Sequence, residues 1–231
     1  SLPEALQSLN YDGYRQIRFN PERAYWHDDS PFSLQLFHSG FLFQTPVALN
    51  LVENGEVVPL DFTTDDFRYD GDASELLEHD LSGSGHAGFR LHYPLNNPDY
   101  ADEFAVFLGA SYFRLVGQHQ AYGLSTRGLA INTASSQGEE FPAFREFWLV
   151  TPDSDAESVT LMALMDSPSL SGAYRFTLTP GEHTEAEIEA EIFARDDIEK
   201  VGIAPLTSMF TFGEASAQRP DDFRPQVHDS D

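Results

Sequence analysis

The chain has 231 residues, which suits one large domain or two small ones, and its 41% hydrophobic and 13% aromatic residues can fill a sizeable core. The formal net charge of −25, with Lys200 as the single lysine, disfavours nucleic acid and anionic lipid as partners, because an acidic surface repels both; neutral sugars meet no such penalty. The absence of cysteine excludes disulfides and thiolate metal sites, and no apolar run approaches the roughly 20 residues of a membrane span.

The first part of the chain predicts a short helix followed by a strand. Residues 1–10 can form the helix, with Pro3 near its first turn. They lack the basic and apolar segments of a signal peptide, so we expect such a peptide to be absent or to have been removed before this numbering begins. Phe32, Leu34 and Leu36 alternate with polar residues, which is the period of a half-buried strand.

A hairpin and a long loop follow. Residues 41–52 favour a longer strand that Pro46 interrupts. The pair Asn54 and Gly55 lies between two apolar dipeptides and predicts a two-residue hairpin turn. Residues 65–88 are polar and rich in glycine, and we interpret them as a long loop.

The middle of the chain predicts further strands. Residues 103–116 are apolar and aromatic, and they favour one long buried strand that bends at Gly109. Three more strands are predicted over residues 144–150, 159–165 and 173–179.

The segment 187–193 shows a strict period of two, which favours a strand although its Glu and Ala residues also suit a helix. We expect Ile188, Ala190 and Ile192 to face the core while the intervening glutamates face water. Residues 195–200 predict a helical turn. About ten strands without intervening helices predict an all-β fold, an antiparallel β-sandwich with few short helices.

The polar tail over residues 219–231 carries a cluster of candidate catalytic or metal-binding side chains. Neighbouring carboxylates and an imidazole suit acid–base chemistry, and the same groups suit a divalent cation. The alternative is a solvated acidic linker. The members of the cluster are Asp221, Asp222, Arg224, His228, Asp229 and Asp231.

A second feature is a set of aromatic residues interleaved with glycine and arginine, which suits sugar binding. The flat C–H faces of sugars pack on aromatic rings, while arginines donate hydrogen bonds to hydroxyls. The alternative is that most of these rings belong to the core. The candidates are Tyr112, Tyr122, Arg127, Trp148 and Tyr174.

Two other kinds of site are disfavoured. Ser125 lacks the glycine-flanked setting of a serine nucleophile. His38, His86 and His92 do not have the spacing of a zinc site on one element, so structural roles are expected for them. We expect no cofactor and no required metal.

Several motifs are spread over nearly the whole chain. They are 88–95 (GFRLHYPL), 102–114 (DEFAVFLGASYFR), 122–125 (YGLS), 127–131 (RGLAI), 138–142 (GEEFP), 166–168 (DSP), 172–176 (GAYRF), 197–200 (DIEK), 202–210 (GIAPLTSMF), 222–225 (DFRP) and 227–231 (VHDSD). Together these motifs resemble one known family, the periplasmic glucan biosynthesis proteins G and D.

This resemblance implies a periplasmic protein that takes part in making osmoregulated glucans with a β-1,2-linked backbone. It implies a large amino-terminal domain like the galactose-mutarotase supersandwich, of which residues 1–231 form an incomplete part, and an immunoglobulin-like domain beyond residue 231. The implied partners are the β-glucan itself and the glucan synthase of the inner membrane.

The resemblance also implies chemistry, since some family members hydrolyse β-1,2-glucan with inversion. It places a catalytic aspartate at Asp229, with Asp231 a second carboxylate of the same motif, and Arg224 and His228 beside them; the general acid is expected beyond residue 231. The alternative is a glucan-binding scaffold without catalysis. In either case we expect residues 1–231 alone to be inactive and poorly stable.

Overall fold

The computed structural model describes residues 2–121, 123–136 and 138–207, together with the backbone of Phe210–Phe212 and Val227–His228. Strands account for 49% of the described residues and helices for 11%, which confirms the all-β prediction. In chain order, the strands are β1 (Ile17–Phe19), β2 (Ser33–His38), β3 (Ala48–Glu53), β4 (Glu56–Pro59), β5 (Phe67–Tyr69), β6 (His86–Asn97), β7 (Tyr100–Leu108), β8 (Tyr112–Leu115), β9 (Leu124–Arg127), β10 (Leu129–Ile131), β11 (Ala143–Val150), β12 (Val159–Asp166), β13 (Leu170–Thr179), β14 (Glu185–Ala194), β15 (Val201–Ile203), β16 (Phe210–Phe212) and β17 (Val227–His228).

Two large sheets organise these strands. One has five antiparallel strands in the order β2-β6-β7-β8-β9, and the other has six strands in the order β14-β13-β12-β11-β3-β4. Among the described strands of the two sheets, β11 and β3 run parallel, and the other pairs are antiparallel, as predicted for an antiparallel β-sandwich. A parallel pair needs a long crossover, and the chain between β4 and β11 supplies one, because it builds the whole β6–β9 part of the other sheet.

The core lies between the inner faces of the two sheets. Phe89 of the five-stranded sheet meets Phe147 of the six-stranded sheet with ring centroids 5.0 Å apart, and Phe107 meets Phe176 at 5.3 Å. All four rings are at most 2% exposed. Burying each such ring contributes about 1.5–3 kcal/mol, so this aromatic layer holds the sandwich together.

The amino terminus begins with two single-turn helices, α1 (Glu4–Gln7) and α2 (Tyr11–Tyr14). The first confirms the helix predicted within residues 1–10 and starts directly after Pro3. The second was not predicted. Asn10 caps α2 by accepting a hydrogen bond from the amide of Gly13 at 2.8 Å, which satisfies one of the free donors at the start of the helix.

The predicted hairpin is confirmed. Glu53 pairs with Glu56 across the turn, and Asn54 and Gly55 have φ values of 52° and 83°, the left-handed pair that this turn type needs. The predicted strand over residues 41–52 is shorter than expected, because regular pairing begins only at Ala48, after Pro46.

The prediction of a long loop over residues 65–88 is wrong. This segment contains β5 and a 3-10 helix over Gly71–Glu78. Its apolar residues pack with the amino-terminal helix α1 in a second small core. This packing orders the segment, although its sequence shows little periodicity. The members of this cluster are Leu2, Leu6, Ala73, Leu76 and Leu81.

The single strand predicted over residues 103–116 is two strands, β7 and β8. Gly109 forms a turn rather than a bend: its φ is 79°, and its carbonyl accepts a hydrogen bond from the amide of Tyr112 at 2.9 Å. The predicted strands at 144–150, 159–165 and 173–179 are confirmed as β11, β12 and β13.

The strand predicted at 187–193 is confirmed as β14, and its register places Ile188 and Ala190 on the core side, opposite Phe176 and Tyr174 of β13, as predicted, although they are not buried there. Ile188 and Ile192 are 37% and 40% exposed, because β14 is an edge strand whose apolar side no described element buries. The helical turn predicted at 195–200 is wrong. The amide of Arg195 donates to the carbonyl of Ser169 at 2.8 Å, so this backbone bonds to a neighbouring segment instead of to its own preceding turn.

Candidate functional site

The outer face of the five-stranded sheet carries a row of polar side chains across four neighbouring strands. Gln35 on β2 is directly opposite Arg90 on β6. Arg90 is in turn opposite Val106 of β7, and Val106 is opposite Arg114 of β8. Adjacent residues on these strands point inward to the core, so the row points outward. We call Gln35, Arg90, Glu103 and Arg114 the ladder.

The side chains of the ladder are joined by hydrogen bonds. Arg90 Nε donates to Gln35 Oε1 at 3.1 Å, and Arg90 Nη1 donates to Glu103 Oε2 at 3.4 Å. From the other side, Arg114 Nη2 donates to Glu103 Oε1 at 3.1 Å. The side chains of Arg90, Glu103 and Arg114 are 30%, 27% and 32% exposed, so the network is ordered but open to a ligand.

A β-bulge places Glu103 in the ladder. The register between β6 and β7 shifts after Leu91, which pairs with Ala105, so that His92 pairs with Glu103. Phe104 is the extra residue, and both it and Ala105 are fully buried. Without the bulge, strict alternation from Ala105 would turn Phe104 outward and Glu103 into the core. The bulge therefore re-aims a carboxylate onto the outer face, a recurrent use of bulges near functional sites.

Aromatic rings flank the ladder on two sides. The guanidinium of Arg90 lies over the ring of Phe37 at 5.4 Å. Farther along the sheet Tyr112 is directly opposite Arg127, whose guanidinium lies 5.9 Å from the centre of the Tyr112 ring and 5.5 Å from that of Phe141. In both places a guanidinium group lies next to the flat apolar face of an aromatic ring.

The Arg127 side chain is itself held in place. It forms an ion pair with Glu139, which also accepts a hydrogen bond from Thr133 Oγ1 at 3.2 Å. The side chains of Arg127 and Glu139 are only 12% and 23% exposed. The structure thus brings together two of the predicted sugar-binding residues, Tyr112 and Arg127, beside the ladder.

A polar cavity of about 220 Å³ opens at the end of the ladder near Arg114. Its lining includes Asn96, Asp102 and Gln120 as well as Glu103 and Arg114. The Asp102 carboxylate accepts hydrogen bonds from the amide and the side chain of Asn96, at 3.0 and 3.2 Å, so it is fixed at the cavity wall. The ladder thus ends in a hollow with both donors and acceptors.

The other predicted sugar-binding residues lie elsewhere. Trp148 lies on β11, with Asn50 of β3 and Met162 of β12 as its cross-strand neighbours. It is on the outer face of the six-stranded sheet, on the opposite side of the sandwich from the ladder. Tyr174 is 6% exposed in the core, where burial raises its pKa to about 12 and its hydroxyl donates to the carbonyl of Gly128 at 3.3 Å. Its ring offers no face to a ligand.

The predicted catalytic residues Asp229 and Asp231 lie outside the described residues, as do Arg224 and Tyr122. Of His228 only the backbone is described, and it pairs with Phe210. Among the described residues no group of three or more His, Asp or Glu side chains could hold a metal ion, and no described helix is long and apolar enough to cross a membrane.

Three described carboxyl groups, those of Asp80, Glu140 and Asp166, have shifted pKa values, and all three are lowered. For Glu140 burial raises the pKa, but hydrogen bonds from Ser167 and Ser169 outweigh it. For Asp166 the main cause is the hydrogen bond from Arg195, and for Asp80 it is the hydrogen bonds from Ser82. A general acid needs a raised pKa, so these three groups suit structural roles.

The candidate site residues predicted from the sequence do not include the ladder residues Gln35, Arg90, Glu103 and Arg114. The sequence does indicate the direction of the Arg90 side chain. Arg90 lies between Phe89 and Leu91 in the chain, so in a strand whose apolar residues face the core it points outward. No comparable signal exists for Glu103, because the bulge breaks the alternation.

Comparison with known proteins yields one family. The family model for the periplasmic glucan biosynthesis protein, MdoG, matches residues 1–231. The chain is 50% identical over 231 residues to glucans biosynthesis protein G of Bradyrhizobium diazoefficiens and 50% identical over 233 residues to that of Vibrio cholerae. All of this chain is covered in both comparisons, but only 45% and 42% of the relatives, so the chain spans less than half of their length.

Proposed function

Because this chain belongs to the family of the periplasmic glucan biosynthesis protein MdoG, we propose that it acts in the periplasm on a β-1,2-linked glucan, which it binds along the ladder. The single observation that carries this proposal is the row of Gln35, Arg90, Glu103 and Arg114, which is hydrogen-bonded, partly open and flanked by aromatic rings.

The chemistry of the ladder fits a neutral sugar. A hydroxyl of glucose donates to a carboxylate and accepts from a guanidinium, and Glu103 and the two arginines offer both within a few ångströms. The rings of Phe37 and Tyr112 offer flat apolar surfaces to the C–H faces of the sugar. A neutral ligand also avoids the repulsion that a net charge of −25 imposes on anions.

Binding by the ladder is tested by calorimetry with a linear β-1,2-glucan oligosaccharide and the full-length protein. Glu103→Gln removes the central charged acceptor, and we expect about 10- to 100-fold weaker binding, since hydrogen bonds to charged groups contribute about 1.5–3 kcal/mol. Arg175→Gln is the matched control, because Arg175 is exposed on the outer face of the other sheet. Equal affinities for wild type and Glu103→Gln would refute the assignment of the ladder.

A second proposal concerns catalysis and rests on the motif His228-Asp229-Ser230-Asp231. In an inverting glycosidase one carboxylate activates water while a carboxylic acid on the other side protonates the leaving oxygen. We assign the water side to Asp229, with Asp231, His228 and Arg224 orienting it, and place the general acid farther along the full-length protein. The glucan synthase of the inner membrane is the proposed partner that supplies the chain.

Replacing Asp229 by Asn in the full-length protein tests this chemistry. We expect cleavage of β-1,2-glucan, measured as release of reducing ends, to fall by at least about 10²-fold. Asp155→Asn, at an exposed aspartate outside the ladder and the tail, is the control. Unchanged cleavage by Asp229→Asn would exclude Asp229, and glucan binding without any cleavage by the wild type would favour a scaffold that holds the glucan for other enzymes.

A further inference from the structure

A larger groove, of about 640 Å³, opens beside the ladder where α2 and β1 approach the β2 edge of the five-stranded sheet. Aromatic side chains form much of its lining, and none of the described residues that line it is an aspartate or glutamate, although the chain has 38 acidic residues. The tyrosines and phenylalanines of the lining are Tyr11, Tyr14, Phe19, Phe37, Phe41, Phe43 and Phe67. We call this the aromatic groove.

The rings of the aromatic groove are held in fixed positions. The Tyr14 hydroxyl donates to the carbonyl of His38 at 2.8 Å, and the Tyr14 ring lies 5.6 Å from Phe43 and 6.1 Å from Phe41. Tyr11 packs edge-on against Phe41 at 6.2 Å but remains 62% exposed. An apolar ring that is both exposed and fixed is prepared for a ligand, because little freedom is lost on binding.

The backbone at Phe41 is strained. Its φ is 54°, a left-handed conformation that bulky residues rarely adopt. Hydrogen bonds maintain it: the amide of Phe41 donates to the carbonyl of Leu6 at 3.0 Å, and Gln44 Nε2 donates to the carbonyl of Phe41 at 2.8 Å. Strain that neighbouring contacts maintain in this way is typical of ligand sites, and here it sets an aromatic ring at the wall of the groove.

The aromatic groove is continuous with the ladder. Phe37 and Arg90 line the groove, and the same Arg90 side chain bonds to Gln35 and Glu103 in the ladder. Arg15 lies at the rim with its guanidinium 5.7 Å from the centre of the Tyr11 ring. A linear chain bound at Glu103 can therefore extend over Arg90 and Phe37 without leaving the surface.

From these contacts we propose that the aromatic groove is an additional subsite for the same glucan, in which a sugar residue stacks on Tyr11 and receives hydrogen bonds from Arg15 and Arg90. This inference rests on the proposed function of the ladder. The protein would then bind long glucan chains more tightly than short ones. A short oligosaccharide fills the ladder alone, whereas a longer one also stacks on Tyr11.

Calorimetry with a β-1,2-linked disaccharide and a β-1,2-linked decasaccharide tests the subsite. In the full-length protein, Tyr11→Ala should weaken binding of the decasaccharide about five- to tenfold, the effect of one aromatic stacking contact, and leave the disaccharide unchanged. Phe193→Ala, at a similarly exposed aromatic residue on β14 of the other sheet, is the matched control and should change the affinity for neither oligosaccharide.

The outcomes separate the subsite from the proposed function. If Tyr11→Ala binds the decasaccharide like the wild type while Glu103→Gln binds it weakly, the subsite is refuted and the ladder stands. An equal loss for both oligosaccharides in Tyr11→Ala also refutes it, because the groove would then be the primary site. If Glu103→Gln has no effect, or the wild type binds neither oligosaccharide, the ladder fails and the subsite with it.

Discussion

Two buried histidines should make the folded protein sensitive to acid. His38 and His86 face each other across β2 and β6, and each is 3% exposed among aromatic rings that include Phe62, Phe67 and Tyr69. Burial lowers the pKa of both from 6.5 to about 4; for His86 the neighbouring His38 lowers it further, and Asp61 opposes the shift. Both side chains are therefore neutral at pH 7.

The direction of the pH effect follows from the protons bound in each state. In the unfolded chain each histidine takes up a proton near pH 6.5, whereas in the folded chain it stays neutral until about pH 4. The unfolded state binds more protons between these values, so the free energy of unfolding falls as the pH drops through this window. From pH 7 to pH 5 the loss is about 2 kcal/mol per histidine, or about 4 kcal/mol for the pair.

Urea denaturation at pH 7 and pH 5 measures the total loss, to which His92 also contributes because burial lowers its pKa to about 4, and His86→Leu isolates one contribution. Nε2 of His86 is buried without a hydrogen-bond partner, so leucine removes a titrating group without breaking a side-chain bond at that atom. We expect the variant to lose about 2 kcal/mol less than the wild type between the two pH values. His79→Asn, at an exposed position, should lose as much as the wild type.

Equal losses of free energy of unfolding by the wild type and His86→Leu between pH 7 and pH 5 would refute the role of the buried histidines. Equal stability of the wild type at both pH values would also refute it. Carboxylates that titrate in the same range act equally in both proteins, so the difference between the two proteins reports on His86 and its interaction with His38.

Three further predictions concern the fold, each measured by urea denaturation. Gly88→Ala should cost at least about 2 kcal/mol, because the new Cβ would lie 2.0 Å from the carbonyl oxygen of Phe107, whereas Gly181→Ala, with no contact closer than 3.4 Å, should change stability by less than about 0.5 kcal/mol. Phe107→Ala should cost about 3–5 kcal/mol, since the ring is 1% exposed against Phe176 and other core rings, and a loss below about 1 kcal/mol would contradict this account of the core. Gly55→Val should cost about 1–2 kcal/mol because φ is 83° there; an unchanged stability would show that the hairpin tolerates a β-branched residue.

Much of the fold was predictable because it depends on neighbours in the chain. The alternation of Tyr174, Phe176 and Leu178 predicts β13 correctly, and Asn54-Gly55 predicts its hairpin, since side-chain period and turn conformation are local properties. The motifs that resemble the glucan biosynthesis family were equally local, and the family match over residues 1–231 confirms them.

The site was less predictable, because alternation shows that adjacent side chains point to opposite faces without showing which sheet or face a residue joins. Trp148 and Tyr112 looked alike in the sequence, yet the order of strands puts them on opposite outer faces of the sandwich. Glu103 reaches the ladder only because a bulge at Phe104 changes the register of β7 against β6. The sequence by itself determined the class of fold and the family, whereas the pairing of strands distant in the chain decided which charged side chains meet, because register between strands is fixed by packing across the whole sheet.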